Sequence, residues 1–261
     1  MARKLIGLAM AAMTIATGQL EISPTSPPSK LRTPDYSTGR PGQLGRGVRR
    51  SRFRTGGGER RDGTILHMKK LLPFDVQSFV EECRRANQEA AADRQAAIEE
   101  VVGRAMSEPR SALAAVGEPQ KGGIQTLYRA ADLTVLNIVW SPLMQLLPHE
   151  HKMWSVIGIY SGREDNIFWE RQQGRIVATR AAALSTGDVV ALPLDVVHSV
   201  VNPIEQLTGA IHIYGGDFFA TPRSEWDPAS LAERAWSIEN ALNLFGQSND
   251  RFHAAQRGAC R

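Results

Sequence analysis

The sequence predicts a mainly β protein, a jelly-roll barrel with a helical layer before it and a helix behind it. Three observations carry that reading. Eight short runs rich in Val, Ile, Thr and aromatic residues follow one another within about a hundred residues, separated by Gly, Pro, Asp and Asn. Apolar residues recur at helical spacing before these runs, between Pro73 and Gly117. The same spacing returns after them, in RSEWDPASLAERAWSIENALNLFG.

The chain begins differently. From Ser23 to Gly63 it is rich in Pro, Gly, Ser, Thr and Arg with almost no apolar periodicity, so residues 1–67 are expected to be a disordered low-complexity extension. Its opening can be read as a weak secretory signal, with Arg3 and Lys4 ahead of an apolar run from Leu5 to Ala16. The preferred alternative is a coding start placed too far upstream, with the natural chain beginning at Met68 and the protein cytoplasmic. Twelve apolar residues are too few to span a bilayer, so no membrane partner is expected. Charge divides at the same boundary. Residues 1–67 hold 12 Lys and Arg against 4 Asp and Glu, which leaves 19 against 23 for residues 68–261. The part expected to fold is mildly acidic, and the high overall pI is no argument for a nucleic-acid partner.

Residues 68–121 read as helical. Phe74, Val76, Phe79, Val80 and Cys83 form one stripe, and Ile98, Val101, Val102 and Met106 form another, with the Ala-rich ANQEAAADRQAA between them expected as a solvated helical face. Pro109 and Gly117 punctuate the end. Residues 122–220 carry the eight strand candidates: IQTLYRA, LTVLNIVW, WSVIGIYSG, NIFWERQ, RIVATRAAAL, DVVALPL, HSVVNP and TGAIHIYGG. Short strands without intervening helices indicate an antiparallel sandwich or barrel. Residues 221–261 complete the chain as a helix and tail, with Asp227 and Pro228 as the start signal and Gly246 as the stop.

The chemistry lies with the histidines. In extended chain, residues two apart project to one face, so His149 and His151 in LLPHEHKMW place two imidazoles side by side. A pair alone is weak. In GDVVALPLDVVHSVVN, Gly187 is followed by five residues, Pro193, one residue, Asp195, two residues, His198, three residues and Asn202. This spacing resembles the second motif of the cupins, in which a glycine turn and a proline lead a histidine into the mouth of a double-stranded β-helix barrel. The sequence departs at Asp195, where the family usually has glycine. The resemblance implies that His149, His151 and His198 ligate a metal.

The first cupin motif normally supplies a glutamate soon after the histidine pair, but KMWSVI offers no carboxylate there. Three-histidine cupins include the thiol dioxygenases, and those carry an SxHxY element. In AIHIYGG, His212 and Tyr214 match it, with Ala210 in place of the serine. The chain thus resembles the cysteine dioxygenase-like cupins, nearer the bacterial 3-mercaptopropionate dioxygenase branch than the animal enzymes. Val156 stands where the animal enzymes have a cysteine that crosslinks to the tyrosine. The two cysteines, Cys83 and Cys260, also give no disulfide framework.

The resemblance implies Fe(2+) as cofactor and a small thiol with O2 as substrates. Three neutral imidazoles leave the cation its full charge, which favours binding of a thiolate. Tyr214 would donate a hydrogen bond toward the reacting oxygen or the substrate, and His212 would orient it. Arg223, nine residues beyond Tyr214, would take a substrate carboxylate; Arg163 in YSGRED is the second candidate, against surface ion pairs for each. GREDN otherwise reads as a hairpin turn with solvated carboxylates. Trp140 and Trp154 are expected to pack the barrel, Trp226 to cover one end of it, and His67 and His253 to lie in poorly patterned tails. Two alternatives stay open: a metal- or ligand-binding cupin without catalysis, and a metal-dependent isomerase on the same scaffold. Residue types leave the metal, the thiol and the oligomeric state undecided.

Overall fold

In a computed structural model of the chain, residues 74–90 and 92–259 are described. The readings made for residues 1–67, for Met68 and for Cys260 lie outside that range. Three helices come first: α1 (Val76–Glu89), α2 (Arg94–Met106) and α3 (Pro109–Val116). Asp75 caps α1 by accepting from the Ser78 amide, and Asp93 caps α2 by accepting from the Ala96 amide. The Ala-rich segment is therefore where one helix ends and the next begins, not one continuous solvated face. Pro109 occupies the first turn of α3, and Gly117 ends it at φ 89°.

Eleven strands follow: β1 (Gly123–Arg129), β2 (Thr134–Trp140), β3 (Gln145–Glu150), β4 (Ser155–Ser161), β5 (Arg163–Gln172), β6 (Arg175–Ser185), β7 (Val189–Leu192), β8 (Val197–Val201), β9 (Thr208–Tyr214), β10 (Ser224–Trp226) and β11 (Glu233–Ala235). Helix α4 (Ile238–Ala259) closes the sequence. The strands form two antiparallel sheets, in the orders β1-β2-β9-β4-β7 and β11-β10-β3-β8-β5-β6. This is the jelly roll of a double-stranded β-helix, mainly β, with helices at both ends. No helix among the described residues is long and apolar enough to cross a membrane.

Both faces of the five-stranded sheet are covered, which explains why TVLNIVW and SVIGIYS read as nearly unbroken apolar runs. On the outer face Val135, Val156, Tyr160 and Ile213 pack with Phe79, Ile98 and Val102 of the helical layer. Gly158 lets that layer come close: a Cβ there would lie 2.6 Å from Val102 Cγ1. On the inner face Ile157, Ile159 and Ala210 meet Phe168, Leu184 and Leu192. Each such Val, Leu, Ile or Phe side chain, fully buried, contributes roughly 1.5–3 kcal/mol.

Two readings of the C-terminal region are corrected. Asp227 and Pro228 open no helix. The Asp227 carboxylate accepts from the amides of Ala229 and Ser230, which makes the turn between β10 and β11. The helix starts at Ile238 and runs through Gly246 to Ala259, held by Phe245, which stacks on Trp140 at 5.4 Å. The three-residue strands β10 and β11 are too short to show a period.

Candidate metal centre

Three of the histidines converge between the sheets. β3 carries His149, and the chain leaves that strand at His151 by a turn in which Lys152 adopts φ 56°. The register of β3 on β8 slips by one residue between Leu146 and His149, so His149 stands directly opposite His198. Pro148 sits inside this bulge, where the ladder is interrupted and its missing N–H costs nothing. On the other side of His198, Gly187 makes the turn before β7 at φ 92°, and Val196 closes a turn onto the Pro193 carbonyl.

The hydrogen bonds fix which ring nitrogens carry protons. His149 Nδ1 lies 3.0 Å from the Leu147 carbonyl oxygen, and His198 Nδ1 lies 2.6 Å from Asn166 Oδ1. Both partners only accept, so both Nδ1 atoms are protonated and both Nε2 atoms present lone pairs. His151 Nε2 is 3.1 Å from His149 Nε2 and 3.1 Å from His198 Nε2. One proton on His151 satisfies at most one of these two contacts, whereas a shared cation accepts the lone pairs of all three Nε2 atoms. Two nitrogens about 2.1 Å from one metal at right angles lie about 3.0 Å apart, which the observed spacing matches. All three rings are buried, and their ligand atoms lie within 4.8 Å of one another. Burial lowers the His149 pKa to about 4 and holds His151 and His198 well below the usual value, with neighbouring rings lowering both further. They are neutral donors at neutral pH, and the residues fit a transition metal.

The five-stranded sheet supplies Tyr214 and His212 from β9. The Tyr214 ring stands edge-on to His151, with centroids 4.9 Å apart, and its hydroxyl lies 3.2 Å from His212 Nδ1. Burial pushes the Tyr214 pKa above its ordinary value, so the phenol keeps its proton. The residue paired with Tyr214 on β4 is Ser155; Val156 faces the helical layer instead.

Arg223 is brought to the same end of the barrel, 6% exposed, between Phe218 and Trp236, whose rings lie 4.4 and 3.5 Å from its guanidinium carbon. Nη1 donates to the carbonyls of Phe218 and Thr221. Nε and Nη2 are buried without a hydrogen-bond partner among the described residues, and these two N–H groups are the side-on fork that grips a carboxylate. Burial lowers its pKa to about 10, which leaves it a cation, and its charge reaches His149, His151 and Tyr214. Arg163 is not brought there. It lies on the opposite face of β5 and pairs with Asp165 at 2.7 Å.

The same alternation corrects the reading of GREDN. After Gly162, at φ 82°, the chain is already in β5, and Glu164, Asn166 and Phe168 point inward. Glu164 is fully buried, accepting from Trp140 Nε1 at 2.7 Å and from Asn166 Nδ2 at 2.9 Å. It lies 3.4 Å from His212 Nε2, within ion-pair distance but not aligned as a hydrogen bond. Burial alone would raise its pKa, but His212, Asn166 and Trp140 together hold it below the usual carboxylate range. The missed signal was a period of two in E-D-N-I-F. Trp140 and Trp226 are buried as expected, and Trp154 packs on Gly215, where a Cβ would come within 2.1 Å of its ring.

No family model matches the chain, and no curated protein does. Among solved structures, an RmlC-like cupin with a double-stranded β-helix fold from Methanocaldococcus jannaschii is 14% identical, covering 38% of this chain and 84% of that one, with a TM-score of 0.33. A cupin superfamily protein from Desulfitobacterium hafniense is 15% identical over 40% of this chain and 88% of its own, with a TM-score of 0.32. An oxalate decarboxylase variant from Bacillus subtilis is 17% identical over 39% of this chain but 27% of its own, with a TM-score of 0.32. At these scores the likeness is partial, and the jelly-roll assignment stands on the strand order of the chain itself.

Proposed function

We propose that the chain is a mononuclear non-haem iron thiol dioxygenase, converting a small carboxylate-bearing thiol and O2 to the sulfinate. The observation that carries this reading is the pairing of three neutral Nε2 donors, with no carboxylate among them, and a buried arginine whose fork has no internal partner. Ferrous iron at the three histidines would lower the thiol pKa and bring sulfur beside dioxygen, both of whose atoms end on sulfur.

The chain's own residues would do the rest. Leu147 and Asn166 fix two of the rings so that only Nε2 faces the centre. Arg223 would hold the substrate carboxylate by Nε and Nη2, which orients the thiol toward the histidines. Tyr214, protonated and held against His212, would be the hydrogen-bond donor on that face. Phe218 and Trp236, 5.4 Å apart, would exclude water above Arg223.

The test is oxygen uptake by iron-loaded protein with 3-mercaptopropionate, cysteine and cysteamine. One sulfinate per O2 is expected, with carboxylate-bearing thiols preferred. No uptake with any thiol would refute the dioxygenase and leave a metal-binding module. An isomerase would turn over its substrate without oxygen.

A further inference from the structure

We infer that Glu164 is a positioning residue that orients both the His198 ring and the His212–Tyr214 pair. The inference rests on the three-histidine metal reading and is independent of the thiol.

One carboxylate serves two arms. Oε1 accepts from Asn166 Nδ2, which turns Asn166 Oδ1 toward His198 Nδ1 at 2.6 Å. Oε2 accepts from Trp140 Nε1 and faces His212 Nε2 at 3.4 Å, while His212 Nδ1 meets the Tyr214 hydroxyl at 3.2 Å. Ala210, two residues before His212 on β9, is buried and has no group to hold that ring. Among the described residues no Lys or Arg is paired with Glu164, and the basic group facing it is His212 Nε2 at 3.4 Å. An anion so placed is expensive to bury, and a packing role alone would be met by an apolar side chain. Its negative charge polarises the Asn166 amide, which makes Oδ1 a stronger acceptor and His198 Nε2 a stronger donor.

An amide cannot substitute for this carboxylate. In Glu164→Gln one oxygen remains for two N–H donors. If that oxygen stays with Trp140, the glutamine NH2 faces Asn166, whose amide must flip and present its own NH2 to the His198 Nδ1–H. The His198 proton is then driven to Nε2, the atom that binds metal. If the oxygen turns to Asn166 instead, the NH2 opposes Trp140 and His212.

The experiment uses the full chain and metal alone. Zn(II) affinity is measured by chelator competition and the Co(II) visible spectrum is recorded for wild type, Glu164→Gln and Asn166→Ala, with circular dichroism and melting to verify folding. Folded Glu164→Gln is expected to bind Zn(II) about 10- to 100-fold more weakly and to shift the Co(II) bands. Asn166→Ala, which cuts the His198 arm alone, is expected to reproduce the affinity loss. With an active thiol, Glu164→Gln is expected to lower kcat with KM little changed, and Asn166→Ala to retain more of kcat at saturating metal. Wild-type affinity and spectrum in both folded variants would overturn the inference. If Glu164→Gln does not fold, Asn166→Ala decides the His198 arm. An absence of thiol turnover in wild type would count against the dioxygenase, while the Zn(II) and Co(II) measurements would still decide Glu164.

Discussion

Replacing Arg223 with lysine separates charge from shape at the substrate end of the barrel. The guanidinium spends Nη1 on the Phe218 and Thr221 carbonyls and leaves Nε and Nη2 for a ligand. A lysine ammonium keeps the charge but not the fork, so at least one charge-assisted hydrogen bond to a carboxylate is lost. That bond is worth about 1.5–3 kcal/mol, which corresponds to roughly a 10- to 150-fold fall in kcat/KM. The loss is specific to the carboxylate. Steady-state oxygen uptake with 3-mercaptopropionate and with cysteamine should show it for the first thiol and little of it for the second. Equal losses for both would mean that Arg223 supports the fold without touching substrate, and the carboxylate anchor would be wrong.

Acid should destabilise the metal-stripped protein. An unfolded histidine takes its proton as pH falls through about 6.5, but folded His149 does so only at about 4, and His151 and His198 shift in the same direction. Stability is full above pH 6.5 and is lost between there and about 4, by about 3 kcal/mol for His149 alone. Urea titrations at pH 7.5 and 5 check this; equal midpoints would contradict it. One equivalent of Zn(II) per chain should raise Tm, by about 2.7 kcal/mol of stability at a free concentration 100 times Kd, and His198→Ala should abolish the effect in calorimetry. Gly158→Ala drives a Cβ to within 2.6 Å of Val102 and 2.7 Å of Met106, so thermal melts should show a loss of about 1–3 kcal/mol with Zn(II) affinity unchanged.

Much of the fold was legible because the eight strand candidates combine β-branched runs with explicit turn residues, and each lies on a strand of the jelly roll. β3 was not, since Pro148 and a run of leucines hide a strand whose ladder is interrupted by a bulge. The histidine trio was visible through spacing alone. Glu164 was not, because a charged residue after glycine reads as turn, and only the burial of its neighbours on alternate positions reveals the inward face. The free fork of Arg223 depends on where Trp236, Phe218 and Thr221 lie, which no local pattern encodes.

The slipped register between Leu146 and His149 has a consequence for how this protein can vary over time. Side chains along that stretch can be exchanged with modest penalty, but adding or removing a single residue would turn the first imidazole away from its two companions. Homologous sequences that keep the centre should therefore be invariant in length from Leu146 to His151, even where they differ in identity.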